Sequence, residues 1–221
     1  MSNKTKVDTS ASKQADNLEH ALTAGELAPD AKKNAAARRA KNRVRRLNHH
    51  AYHARDVEET RHFYEDILEM PMTVFFMVPD EAATGDPMPY VHFFFEMSDA
   101  SYLAFFDYPA FHDNYATFEK RTNYDHHIAL EVDSDDDIEY FKQRFDEHDI
   151  EYMYIDHGVF HSMYFTDPNG LNLEFTSLPA PSYEEAMLKF EPVAHEELKK
   201  WQEVRPSVTK TLLRNREDYS S

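Results

Sequence analysis

The stretch from His157 through Tyr164 and Asp167-Pro168-Asn169-Gly170 to Glu174 sets a histidine, a tyrosine and a carboxylate around one tight turn. Asp-Pro-Asn-Gly supplies that turn, because Pro fixes φ while Asn and Gly tolerate the left-handed region. On the strand predicted to follow, Asn172, Glu174 and Thr176 share one face, and Leu171, Leu173 and Phe175 share the other. Glu174 is thus a lone carboxylate on a strand whose opposite face is apolar. Such a charge is either solvated or held by a partner, and a metal ion is one good partner.

The elements that would position these groups read as a repeat. One module begins Leu47-Asn48-His49-His50-Ala51-Tyr52-His53, and a second begins Tyr124-Asp125-His126-His127-Ile128-Ala129-Leu130. Aligning His49-x-Ala51 with His127-x-Ala129 predicts two short strands in register, each followed by a helix. The first helix is expected to start at Asp56, with Glu59 three residues on as in a capping box. Its inner stripe is Val57, Thr60, Phe63, Tyr64, Ile67 and Leu68. The second is expected to start at Ser134, with Ile138, Phe141 and Phe145 turned inward. Three strands are predicted after each helix, near residues 72–78, 90–97 and 102–107, and near 151–155, 160–165 and 171–176. The module ends align as well, with Ala104 over Glu174. The expected class is α+β, two βαβββ modules within residues 47–178 (47–109 and 124–178), preceded by an arm (1–46) and followed by helices (179–221).

This organisation resembles the vicinal oxygen chelate superfamily, which includes glyoxalase I, bleomycin- and fosfomycin-resistance proteins and extradiol ring-cleaving dioxygenases. The resemblance implies that the modules pair into a curled mixed sheet whose concave side holds a divalent metal. It carries the ligand roles onto His49 and His127, on the first strand of each module, and onto Glu174, on the last strand of the second. Two imidazoles and a carboxylate on one side of a metal leave open positions opposite, the facial triad of non-haem iron(II) oxygenases. Ala51 and Ala129 stand beside the two histidines on the same strand faces.

From Ile155 to Glu174 the spacing is similar to that of type I extradiol dioxygenases in a short, single-domain form. The matching positions are Ile155, His157, Met163, Tyr164, Asp167, Pro168, Gly170 and Glu174. The resemblance makes His157 and Tyr164 hydrogen-bonding groups for substrate or bound oxygen. It also implies an acid–base histidine on the loop between the modules, where His112 stands fifteen residues before His127. An imidazole pKa of about 6.5 suits a group that must take and return a proton. The bland alternative for His112 is an exposed loop histidine, one of thirteen in the chain. The implied activity is cleavage of a vicinal dihydroxy-aromatic ring by dioxygen, with Fe(II), or Mn(II), as cofactor.

Two rival readings stand beside it. A glyoxalase- or epimerase-type lyase or isomerase usually draws a fourth ligand from the last strand of module one, where this chain has Ala104. A non-catalytic, small-molecule-binding protein of the resistance type typically lacks the histidine and glutamate ligands. His50 and His126 are register-slip alternatives on the opposite strand faces, His53 shares the face of His49, and His161 faces away from Tyr164. The runs Phe93-Phe94-Phe95 and Phe105-Phe106 read chiefly as sheet core, with alternate members able to line a pocket.

Bulk properties set the outer limits. The chain has 221 residues, 41% of them hydrophobic, which allows one sizeable core. It has no cysteine, so thiolate ligands, thiol nucleophiles and disulfides are excluded. No apolar run approaches the roughly 18 residues of a membrane span, and the N-terminus lacks an apolar signal region, so a cytoplasmic protein without membrane association is expected. Residues 1–46 carry 11 Lys/Arg against 5 Asp/Glu, whereas the remainder carries 13 against 36. The acidic body argues against nucleic acid as a partner. The basic run from Ala36 to Arg46 either meets phosphates or an acidic partner or forms a solvated Ala-rich helical arm. The first 30 residues read as disordered. Ser182–Phe190 and His195–Val204 read as helices, with Met187, Leu188, Leu198 and Trp201 available to cover the pocket or to pack across a homo-oligomer.

Overall fold

Alternation of apolar and polar residues, twice interrupted by a helix-period stretch, folds as two βαβββ units. A computed structural model describes residues 26–44, 46–80, 85–110, 126–156, 160–177 and 183–207. His112 and His157, and the first 25 residues, lie outside that set.

Module one comprises β1 (His49–His53), a helix beginning as α2 (Val57–Arg61), β2 (Met72–Asp80), β3 (Pro87–Glu96) and β4 (Tyr102–Asp107); a short α1 (Ala31–Arg39) precedes it. Module two comprises β5 (Ile128–Glu131), α3 (Asp135–Glu147), β6 (Tyr152–Asp156), β7 (His161–Thr166) and β8 (Asn172–Ser177). Each forms a four-stranded mixed sheet, ordered β1-β4-β3-β2 and β5-β8-β7-β6, in which the first and last strands run parallel and the other pairs antiparallel. The registers repeat between modules: Ala51 pairs with Ala104 as Ala129 pairs with Glu174. The alignment of Ala104 with Glu174 is therefore a structural equivalence.

The helix caps form largely as the sequence predicts. The Asp56 side chain accepts the Glu59 N–H at 2.8 Å, and Ser134 with Asp137 makes a full capping box at the start of α3. The first helix departs from a regular α-helix. After Arg61 it widens into a π-turn over His62–Ile67, with the Leu68 N–H reaching the Phe63 carbonyl at 3.0 Å. That turn lets the adjacent bulky residues Phe63 and Tyr64 both face inward.

One core serves both modules. Phe63 of the first helix meets Phe145 of α3 and Phe165 of β7 with ring centroids 6.4 and 6.3 Å apart. Phe93, Phe95, Leu103 and Phe105 close it from the first sheet, and Met163, Leu173 and Phe175 from the second. The Asp167–Gly170 turn links the modules by hydrogen bonds. Gly170 has φ +79° and its N–H returns to the Asp167 carbonyl. Asn169 accepts the Arg55 N–H at 2.8 Å and donates to the Thr60 hydroxyl at 3.1 Å, while the Tyr64 hydroxyl donates to Asp167 at 3.0 Å. Burial pushes the Asp167 carboxyl up to about 6, against the opposing pull of hydrogen bonds from Leu171, Asn169 and Tyr64.

The C-terminal helices α4 (Tyr183–Phe190) and α5 (Ala194–Val204) form where expected. Of their predicted apolar contacts only Leu188 is buried; Met187, Leu198 and Trp201 are exposed. The basic arm is not simply solvated. Lys32, Arg38 and Arg39 on α1 pair with Glu185, Glu191 and Glu184 at the C-terminal end of the chain. Among the described residues no helix is long and apolar enough to cross a membrane.

Candidate metal centre

Alternation along each strand sends one set of side chains to the shared core and the other to the opposite sheet face. In module two that outer set is Ser162 and Tyr164 on β7 and Glu174 on β8, with His127 just ahead of β5. Glu174 is only 6% exposed, so its carboxylate depends on protein partners. Its Oε2 lies 2.7 Å from His127 Nε2, and its Oε1 accepts the hydroxyl of the wholly buried Ser162. Tyr164 pairs with Glu174 across the ladder and places its ring 6.1 Å from that of His127. Burial, helped by the Glu174 charge, holds the Tyr164 phenol above its ordinary range, so it is a protonated donor.

This pair suits a divalent ion. Ligand atoms about 2.1 Å from a metal, at adjacent positions, stand about 3 Å apart. His127 Nε2 and Glu174 Oε2 stand near that separation, as adjacent ligands of one ion would. Ser162 supplies the outer hydrogen bond that fixes a ligating carboxylate.

His49, the third ligand that the resemblance implies, stands elsewhere. Its Nδ1 is 2.7 Å from the Asn48 side-chain oxygen, which accepts, so Nε2 is left as the lone-pair nitrogen. Its ring reaches across β4 toward β3, with centroids 5.2 Å from Phe94 and 5.8 Å from His92. Ala104, lying between Ala51 and Phe94 in the ladder, leaves that path open. Among the described residues no three His, Asp or Glu side chains are grouped so as to hold a metal ion. One chain therefore assembles His127, Glu174 and Tyr164, and leaves His49 apart from them.

His50, His126, His161 and His53 each have neighbours of their own. His50 stacks on Tyr52, with ring centroids 4.5 Å apart, on the face opposite His49. His126 accepts the Asn172 N–H at 3.3 Å. His161 bonds Asp135 at the start of α3, as packing against a helix requires. His53 meets Tyr108, at 5.2 Å between rings. The phenylalanine runs divide by alternation: Phe93, Phe95 and Phe105 are core, while Phe94 and Phe106 lie on the face of His49. Sequence reasoning passed over His92 and Ser162. The signal for His92 was its place two residues before Phe94, alternating with the core residues Phe93 and Phe95. Burial keeps the His92 imidazole below its ordinary range, and hence neutral near pH 7.

Comparison with known proteins points to one family. The sequence model for the Glyoxalase/Bleomycin resistance protein/Dioxygenase superfamily matches residues 46–175. No curated protein matches the chain. Among solved structures, a glyoxylase/bleomycin resistance protein/dioxygenase domain from Frankia sp. EAN1pec is 14% identical with a TM-score of 0.47, over 61% of this chain and 98% of that one. The fosfomycin resistance protein FosX of Listeria monocytogenes is 16% identical with a TM-score of 0.47, over 65% and 98%. A lactoylglutathione lyase from Agrobacterium tumefaciens is 18% identical with a TM-score of 0.42, over 62% and 96%.

Proposed function

Since the chain belongs to the Glyoxalase/Bleomycin resistance protein/Dioxygenase superfamily, we propose that it is a metal-dependent dioxygenase that opens a vicinal dihydroxy-aromatic ring. His127 and Glu174 hold iron(II), or manganese(II), and His49 is the third ligand, contributed by a second copy of the chain. The observation that carries this reading is the buried Glu174 carboxylate facing His127 with the Tyr164 phenol beside both. The equivalence of Ala104 with Glu174 supports a three-ligand set, because the position that would supply a fourth carboxylate holds a methyl group. When bound, the metal supplies a redox-active Lewis acid with open positions for two substrate oxygens and dioxygen.

The chain's own residues do the rest. Glu174 offsets the charge of the ion, and Ser162 fixes the carboxylate's orientation. Tyr164 donates its phenolic hydrogen toward negative charge developing on oxygen, from a half-buried position beside the Glu174 carboxylate. The resemblance gives His112 the proton transfers and His157 a second donor role.

The test is anaerobic loading with iron(II) followed by a panel of catechols in the presence of oxygen. The expected result is oxygen uptake matched one to one by ring-opened product. A metal-replete protein that consumes no oxygen with any vicinal diol overturns the proposal.

A further inference from the structure

We infer that His92 is a substrate-binding residue whose Nε2 accepts a hydrogen bond from a phenolic hydroxyl of the ring-bearing substrate. The inference rests on the functional reading above and adds a residue of module one to it. His92 lies on β3 on the outer face of the sheet, its ring 5.8 Å from that of His49 and 4.2 Å from that of Phe94. It is stacked on Phe106 at 3.8 Å and 14°, with Phe76 edge-on at 5.5 Å.

The hydrogen bonding fixes what this imidazole can do. Its Nδ1 is 2.9 Å from the Phe105 backbone oxygen. A carbonyl oxygen only accepts, so Nδ1 carries the hydrogen, and in the neutral ring Nε2 is a bare acceptor. His92 is 8% exposed, and among the described residues its Nε2 has no hydrogen-bond partner. A buried acceptor left unpaired is costly, and a phenylalanine would fill the same aromatic stack without that cost. The arrangement is that of an acceptor held ready for a donor from outside the chain.

The surroundings narrow the donor. Phe76, Phe94 and Phe106 offer ring faces and edges, which favour a flat aromatic molecule. Phe76 is exposed, so the cluster opens on one side to solvent. The Nε2 acceptor takes one O–H or N–H, and its neighbour is the proposed ligand His49, for which the functional reading supplies a hydroxylated ring. A phenolic hydroxyl on an aromatic ring meets both conditions.

Two substitutions separate the ring's nitrogens. His92→Asn keeps a donor where Nδ1 meets Phe105 and removes the Nε2 acceptor; His92→Gln places an acceptor near Nε2 and gives up the Phe105 bond. Catechol binding to the iron(II)-loaded protein is measured anaerobically by calorimetry, with thermal melts to confirm folding. The expected result is affinity weakened about tenfold or more in His92→Asn and within about threefold of the parent in His92→Gln. Unchanged affinity in His92→Asn overturns the inference and leaves the dioxygenase reading standing. Equal weakening in both variants reduces His92 to a packing residue and overturns it also. No binding of catechol to the parent protein overturns the aromatic-diol reading itself.

Discussion

At the scale of single residues, the proposed centre depends on how Glu174 is held. A buried carboxylate with one imidazole and one hydroxyl for company keeps little freedom to rotate, which is what a ligand needs before its ion arrives. Removing the hydroxyl of the buried Ser162 takes away the hydrogen bond that Oε1 of the buried Glu174 accepts. Ser162→Ala is therefore expected to weaken metal affinity about 10- to 100-fold, read by titration with Mn(II) followed by electron paramagnetic resonance. Unchanged affinity would show that the carboxylate is positioned by something else. Tyr164→Phe makes the opposite separation. The phenol is beside the ligand pair and is kept protonated, so its loss is expected to lower kcat about 100-fold or more while metal affinity stays within about twofold. A parallel fall in metal content would recast Tyr164 as part of the ion's support. The sequence singles out Glu174 by the apolar strand face that isolates it, and Tyr164 only by the resemblance to extradiol enzymes; the structure sets the two side by side. Ser162 was not legible there, since a serine on a strand gives no sign of which cross-strand neighbour it will serve.

At the scale of elements, the Asp167–Gly170 turn does more than reverse the chain before β8. It locks onto the start of the first helix through Asn169, Thr60 and Tyr64, and so sets the strand that carries Glu174 against the other module. Its carboxyl makes that lock sensitive to pH. Asp167 has an ordinary value of 3.8 and a folded value of about 6. A carboxyl raised on folding binds its proton more tightly in the native state, so its contribution is complete below about 4 and is lost as pH rises through about 6. The interval corresponds to about 3 kcal/mol. The stability gap between the parent and Asp167→Asn, from urea unfolding, is expected to shrink by about that amount between pH 4 and pH 7. A gap independent of pH removes Asp167 as its source. The turn itself was plain in the sequence. Its docking was not, because hydrogen bonds between residues over a hundred positions apart leave no local pattern. The π-turn after Arg61 was missed for a related reason: the tertiary demand to bury both Phe63 and Tyr64 overrides the regular helical period.

At the scale of the whole molecule, the two-module repeat was readable because each module restates the other, down to the pairing of Ala51 with Ala104 and Ala129 with Glu174. What no repeat can tell is whether the two halves of a site meet within one chain. Here His127 and Glu174 are together while His49 faces Phe94 and His92, and no three-residue metal cluster forms among the described residues. The first sheet also ends in β2, an outer strand on which Phe75 and Met77, on the face opposite His92, are exposed, an apolar edge of the kind that seeks a partner. Both features are met if a second copy brings its His49 to the His127–Glu174 pair. In a two-fold dimer each site would then draw on both chains. His49→Ala and Glu174→Ala should each abolish turnover alone, yet a mixed, re-equilibrated sample should recover activity. Random exchange makes half the dimers mixed, and each mixed dimer has one of its two sites intact, so recovery should approach about one quarter of the parent activity. If the three ligands come from a single chain, mixing restores nothing, because every chain in the sample carries a broken site.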